Sequence, residues 1–131
     1  MFQNYECYVE KEARRGVQNC QEGDSDRELG GENSLWVPIS EAAKQWWSTV
    51  ALADPTDLTI TPRWLTPPLR SFTLMGYGYT DKIGCAVQKC NDKYFVKCRY
   101  KPGYFELGWK LYKTGKPCDA CDTCENVLCV E

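Results

Sequence analysis

Histidine is absent from the 131 residues, and that one absence removes much of enzyme chemistry. Ser-His-Asp and Cys-His catalysis, histidine-ligated zinc and imidazole general-base steps all need a side chain this protein does not have. What remains for catalysis is a pair of carboxylates or a lone thiol. No run of about 18 apolar residues occurs, so nothing in the sequence reads as a membrane-spanning helix. Asn-x-Ser/Thr sequons are missing, and N-glycosylation is not expected. Neither sign of charge dominates: 16 Lys and Arg against 18 Asp and Glu leave a net −2. There is thus no electrostatic case for nucleic acid or an anionic membrane surface. The opening Met1-Phe2-Gln3-Asn4-Tyr5-Glu6 also lacks the charged and apolar regions of a signal peptide.

What is plentiful is cysteine. A chain of this length fits one domain and can bury about two-thirds of its unfolded surface, so its core needs no help. It still carries nine cysteines, which places it in an oxidising compartment and predicts a secreted protein. The odd count, with no leader at the start, predicts a fragment whose upstream piece holds a tenth cysteine.

Two amphipathic helices are expected. Tyr5, Val9, Ala13 and Val17 repeat at helical spacing, extended by Phe2 and Cys20, with charges between them. Ser40 reads as the N-cap of the second helix, with Ala42, Ala43, Trp46, Trp47 and Val50 as its buried stripe. A short strand over 31–37, ended by Pro38, lies between them, after a polar loop over 21–31. Runs at 72–79, 82–90 and 93–100 are rich in aromatic and β-branched residues and read as an antiparallel meander. If Asn91-Asp92 is a two-residue hairpin loop, Cys90 faces Lys93, Val87 faces Val96, and Cys85 faces Cys98 within disulfide reach. The same register turns Cys90 to the opposite face.

Prolines 55, 62, 67 and 68 exclude regular structure over 54–69, and Trp64 with Leu65 suggests that this loop packs against something. Residues 104–116 read as a short strand or extended arm. Asp24, Asp26, Glu28 and Glu32 could in principle serve as a glycosidase-like acid and base, but a solvated acidic loop is the simpler reading. Cys118, Cys121, Cys124 and Cys129 have a spacing that a metal-thiolate site would share; in an oxidising setting disulfides are favoured, and Cys118–Cys124 with Cys121–Cys129 would interlock the tail. Five tryptophans and eight tyrosines fill a core or line an apolar cavity.

Several blocks, in order, carry a resemblance. Gly31-Glu32-Asn33 before Leu35-Trp36, Phe72-Thr73-Leu74-Met75, Lys82-Ile83-Gly84-Cys85 through Cys90, and Val96-Lys97-Cys98-Arg99-Tyr100-Lys101-Pro102-Gly103 resemble the signature blocks of the CAP superfamily. The stretch from Leu111 to Cys129 is similar to the hinge of nematode venom-allergen-like secreted proteins. The resemblance implies an α+β fold, a three-layer α-β-α sandwich with an antiparallel sheet, over 1–108, followed by a cysteine-rich hinge over 109–131. It implies Cys85–Cys98 and Cys20–Cys90 pairs and leaves Cys7 without a partner, which the missing N-terminal segment would supply.

The family's cleft commonly holds two histidines and two glutamates that can bind a divalent cation. The matching positions here are Asp24, Glu32, Thr49 and Ser71, of which only Glu32 keeps the expected type. The resemblance therefore implies no catalytic residue, no metal and no cofactor, and a non-enzymatic protein that binds a host protein or receptor and modulates immune cells. The alternative is a carrier of sterol or fatty acid, with its apolar site around Trp64, Leu65 and Phe72. A cation-independent hydrolase is the remote third.

Overall fold

The computed structural model describes residues 3–20, 31–119, 121–125 and 128–129. Helix α1 (Cys7–Val17) forms where Val9, Ala13 and Val17 recur every fourth residue, and all three are buried. An acidic residue, Glu10, lies in its first turn and Arg14 and Arg15 in its last, complementing the helix dipole. Tyr5, expected to extend that stripe, instead lies in the two-residue strand β1 (Asn4–Tyr5) and is 56% exposed. Its hydroxyl reaches the Glu10 carboxylate at 2.8 Å and the Cys85 carbonyl at 3.2 Å, which fixes it outside the helix. Phe2 lies outside the described residues.

Strands β2 (Gly31–Trp36), β3 (Lys82–Cys90) and β4 (Lys93–Lys101) complete a sheet of order β1-β3-β4-β2. Cys85 opposes Cys98, Val87 opposes Val96 and Cys90 opposes Lys93, the register that a two-residue loop predicts. Asn91 takes a left-handed φ of 57°, which Asn tolerates better than other side chains. β2 and β4 are antiparallel, whereas β1 adds to β3 in parallel. The sheet is therefore mixed at its edge, not wholly antiparallel.

The first strand of the expected meander is a helix. Residues Arg70–Gly76 form α3, directly after Pro67 and Pro68. β-Propensity loses here to packing, because helical spacing lets one short element serve two clusters. Leu69, Phe72 and Tyr77 join Leu58, Ile60, Trp64 and Leu111 in one, while Leu74 joins Ala42, Trp46, Val96, Cys98 and Tyr100 in the other. The fully buried Thr73 hydroxyl donates to the Trp64 carbonyl at 2.8 Å, so its burial leaves it satisfied.

Helix α2 (Ile39–Ser48) begins directly after Pro38, and Ser40 lies inside it without capping. Its buried stripe is narrower than expected: Ala42 and Trp46 are buried, whereas Ala43, Trp47 and Val50 are exposed. Val50 belongs to the following 3-10 turn, Thr49–Leu52. α2 and α3 cover one face of the sheet, and α1 covers the other through Ala13, Val17, Ala86, Cys90 and Phe95. These are the three layers of an α-β-α sandwich.

Disulfides join Cys20 to Cys90, Cys85 to Cys98 and Cys118 to Cys124. Cys7 is a free, exposed thiol at the start of α1. In the tail, β5 (Cys124–Glu125) pairs with β6 (Leu128–Cys129), placing Cys124 opposite Cys129. Cys121 is disulfide-bonded as well, and the side chain of Cys129, its expected partner, lies outside the described residues. Residues 109–111, assigned to the hinge from sequence, are tied into the body. Leu111 is fully buried, and its N–H donates to the Leu58 carbonyl at 2.8 Å.

Gly84 sets the distance between α1 and the sheet. A Cβ there would stand 2.2 Å from the Glu10 backbone nitrogen and 2.4 Å from the Val9 carbonyl carbon, neither of which can swing aside. Gly84→Ala is expected to cost about 3 kcal/mol, as overpacking against backbone does. Urea denaturation of the variant, compared with Gly115→Ala in open space, measures it.

Candidate functional site

Glu32 is the acid that the sequence singles out, and the strand register decides what it meets. It lies opposite Arg99 across β2 and β4. Lys97, two residues back along β4, shares the face of Arg99. The Arg99 Nε–H donates to one Glu32 carboxylate oxygen, and Lys97 Nζ lies 3.0 Å from the other. These side chains are 4% exposed for Glu32, 3% for Arg99 and 1% for Lys97. The Arg99 guanidinium reaches on to Glu12 of α1 at 3.3 Å, and Lys101 Nζ meets the second Glu12 oxygen at 2.9 Å. Helix α1 is thereby latched to the sheet by charge as well as by Val9, Ala13 and Val17.

The other cleft positions lie on the opposite face of β2. Side chains alternate along a strand, so Asn33 points away from Glu32, and its amide donates to the Ser71 carbonyl at 3.0 Å. Thr49 accepts the Phe72 N–H at 3.2 Å and donates its hydroxyl to the Trp46 carbonyl at 2.8 Å. Thr49 and Ser71 thus both serve to seat α3. Glu32 touches that side only through its backbone carbonyl, which accepts from Arg70 at 3.3 Å. Asp24, with Asp26 and Glu28, lies outside the described residues. Among the described residues, no three His, Cys, Asp or Glu side chains are grouped to hold a metal ion.

Lys97, Arg99 and Glu12 were not singled out from sequence. The alternation Val96-Lys97-Cys98-Arg99-Tyr100-Lys101 does signal one polar strand face. What it could not supply is the two carboxylates, one from a different strand and one from a helix some 87 residues away. Tyr100, on the apolar face of β4, has its phenol pushed up to about 12, chiefly by burial and opposed by its bond with Asn33.

Trp64 and Phe72 are 5% and 2% exposed and belong to the same buried cluster, with Leu65 at its margin. A 160 Å³ pocket beside them is lined by Asp54, Asp57, Thr59, Thr61 and Arg63 as well as Trp64 and Leu69. A larger open groove of 880 Å³ lies at the β3–β4 hairpin tip, lined by Cys20, Trp36, Lys89, Asn91, Asp92 and Lys93 among others.

No family model matches the chain. Among curated proteins it is similar to Ancylostoma secreted protein of Ancylostoma caninum, 34% identical over 89% of this chain and 31% of the relative. It is also similar to hookworm platelet inhibitor 1 of the same species, 29% identical over 96% of this chain and 68% of that protein. The chain thus spans about a third of the first relative's length and about two-thirds of the second's. Its fold matches the crystal structure of NaASP2 with Zn2+ at a TM-score of 0.84 and 26% identity, covering 98% of this chain and 75% of that one.

Removing one member of a buried ion pair leaves the others uncompensated, at a cost of about 3–5 kcal/mol. Glu32→Gln is accordingly expected to lose about 3 kcal/mol in urea denaturation, against less than about 1 kcal/mol for Lys44→Ala, an exposed lysine whose partner Glu41 is half-buried. Tyr100 gives a second expectation. Its folded pKa lies above the ordinary value of 10.0, so its contribution is complete below about pH 10 and is lost as pH rises toward 12. Tyr100→Phe should flatten that alkaline loss, read by circular dichroism across the interval.

Proposed function

The chain belongs to the CAP superfamily, as a secreted, extracellular protein, and from that membership we propose that it is a non-enzymatic binding protein acting at a host interface. The observation that carries this reading is the state of Glu32. A general acid, a general base or a metal ligand needs a carboxylate oxygen open to substrate or cation. Both Glu32 oxygens are already held by buried cations, facing away from Thr49 and Ser71.

NaASP2 has been crystallised with Zn2+. The residues present here do not fit such an ion: histidine is absent, Glu32 is neutralised by Lys97 and Arg99, and the Thr49 hydroxyl is engaged by Trp46 and Phe72. What remains is a stable scaffold whose surface is available for recognition. A relative named as a platelet inhibitor supports a partner on host cells. The lipid-carrier reading has less support. Trp64 and Phe72 fill the core, and the 160 Å³ pocket beside them is polar-lined and below the ~300 Å³ at which ligand pockets begin.

Fluorescently labelled protein is expected to bind intact platelets or leukocytes saturably, to be competed by unlabelled protein and to be indifferent to EDTA. Absence of saturable binding to both cell types, or binding abolished by EDTA, would overturn the proposal. So would an esterase or peptidase activity that disappears in Glu32→Gln while that variant remains folded at the assay temperature.

A further inference from the structure

A continuous set of aromatic rings lies where the chain crosses the cluster around Leu111. Tyr77 is its buried centre, at 3% exposure. Tyr79 packs on it at 5.4 Å between ring centroids and Phe105 at 5.0 Å, and Trp109 packs on Tyr79 at 5.4 Å. Outward, Tyr79 and Trp109 each remain 49% exposed, and Tyr112 and Tyr104 are 40% and 67% exposed. Half-exposed rings grouped in this way are the kind of apolar surface that marks an interaction site.

Backbone bonds keep the shelf rigid. The Ile60 N–H donates to the Trp109 carbonyl at 2.7 Å, and the Gly78 N–H donates to the Leu111 carbonyl at 2.7 Å. Gly78 brings the two segments close, since a Cβ there would stand 3.3 Å from Tyr112 Cβ and 3.4 Å from the Leu111 carbonyl oxygen. Because the rings are already ordered, a partner need not immobilise them, which favours affinity.

Charge around the shelf points to the partner. Residues 104–119 carry Lys110, Lys113 and Lys116 against two acids, Glu106, which stands beside Tyr77, and Asp119. Lys110 is held by Asp57 at 3.3 Å and Thr59 at 2.7 Å. Lys113 and Lys116 are exposed and have no ion-pair partner among the described residues, although Asp119 follows at the next turn. Resting on the reading of the chain as a binding protein, we propose that this shelf docks an acidic segment of a host protein, apolar or aromatic residues seating on Tyr79, Trp109 and Tyr112 and carboxylates meeting Lys113 and Lys116. Exposed Trp and Tyr are the side chains that dominate protein interfaces, and rim cations act through steering and register. Two free lysines on a chain of net −2 are a poor match for a densely sulfated glycan, which is bound mainly by charge.

Biolayer interferometry with random poly(Glu,Tyr), poly-Glu and heparin as probes tests the proposal. Binding to poly(Glu,Tyr) is expected to exceed poly-Glu by about tenfold and to weaken with salt. Trp109→Ala and the double variant Lys113→Glu/Lys116→Glu should each weaken it by about tenfold, the second also flattening the salt dependence. Lys113 and Lys116 are exposed, so the double variant remains informative even if Trp109→Ala perturbs packing. Equal binding to both polypeptides, tighter binding to heparin, unchanged affinity in the double variant, or self-association in sedimentation that buries the shelf would each overturn it. If cell binding persists in the double variant, the binding-protein reading stands and only the shelf assignment fails.

Discussion

A carboxylate held between two buried cations is the constraint around which this protein is arranged. Glu32 can neutralise Lys97 and Arg99 only if β2 and β4 keep the register that sets residue 32 opposite residue 99. Slippage of β2 by one residue would turn Glu32 toward the apolar layer of Val96, Cys98 and Tyr100 and leave Lys97 and Arg99 buried without it. The cations also recruit Glu12, and with it α1. Once α1 is held there, the small residues beneath it become obligatory, Gly84 most of all.

That cluster separates structure from surface. The face of the sheet that carries charge is closed by α1, and the face that carries Thr49 and Ser71 is closed by α2 and α3. Among the described residues, neither Thr49 nor Ser71 is an acid, and Glu32 is held by Lys97 and Arg99. The aromatic residues divide in the same way. Trp46, Trp64, Phe72 and Phe95 are internal, whereas Tyr79, Trp109 and Tyr112 share one rim around Leu111. The buried ion cluster of Glu32, Lys97 and Arg99 is turned inward, while these three rings face outward.

The disulfides act on the same framework. Cys85–Cys98 joins the two strands whose register matters most, with their Cα atoms 4.1 Å apart. Cys20–Cys90 ties the chain just beyond α1 to the end of β3. Each cross-link restricts the unfolded chain more than it alters the folded one. Only the second of them acts on α1, just beyond its C-terminal end.

Sequence alone determined the β3–β4 hairpin, its register and the two faces it separates, because a two-residue loop and strict alternation leave no freedom in that arithmetic. It also determined the α1 stripe of Val9, Ala13 and Val17, and the absence of histidine chemistry. Only tertiary structure decided that 70–76 would be a helix, since Phe72 and Leu74 serve two clusters assembled from distant segments. It alone decided that Trp47 would be exposed and Leu111 buried. Above all, it decided what Glu32 does. A glutamate in a strand can ligate, catalyse or pair, and which of these it does depends on charges brought to it by strand pairing across more than 60 residues, which no local pattern encodes.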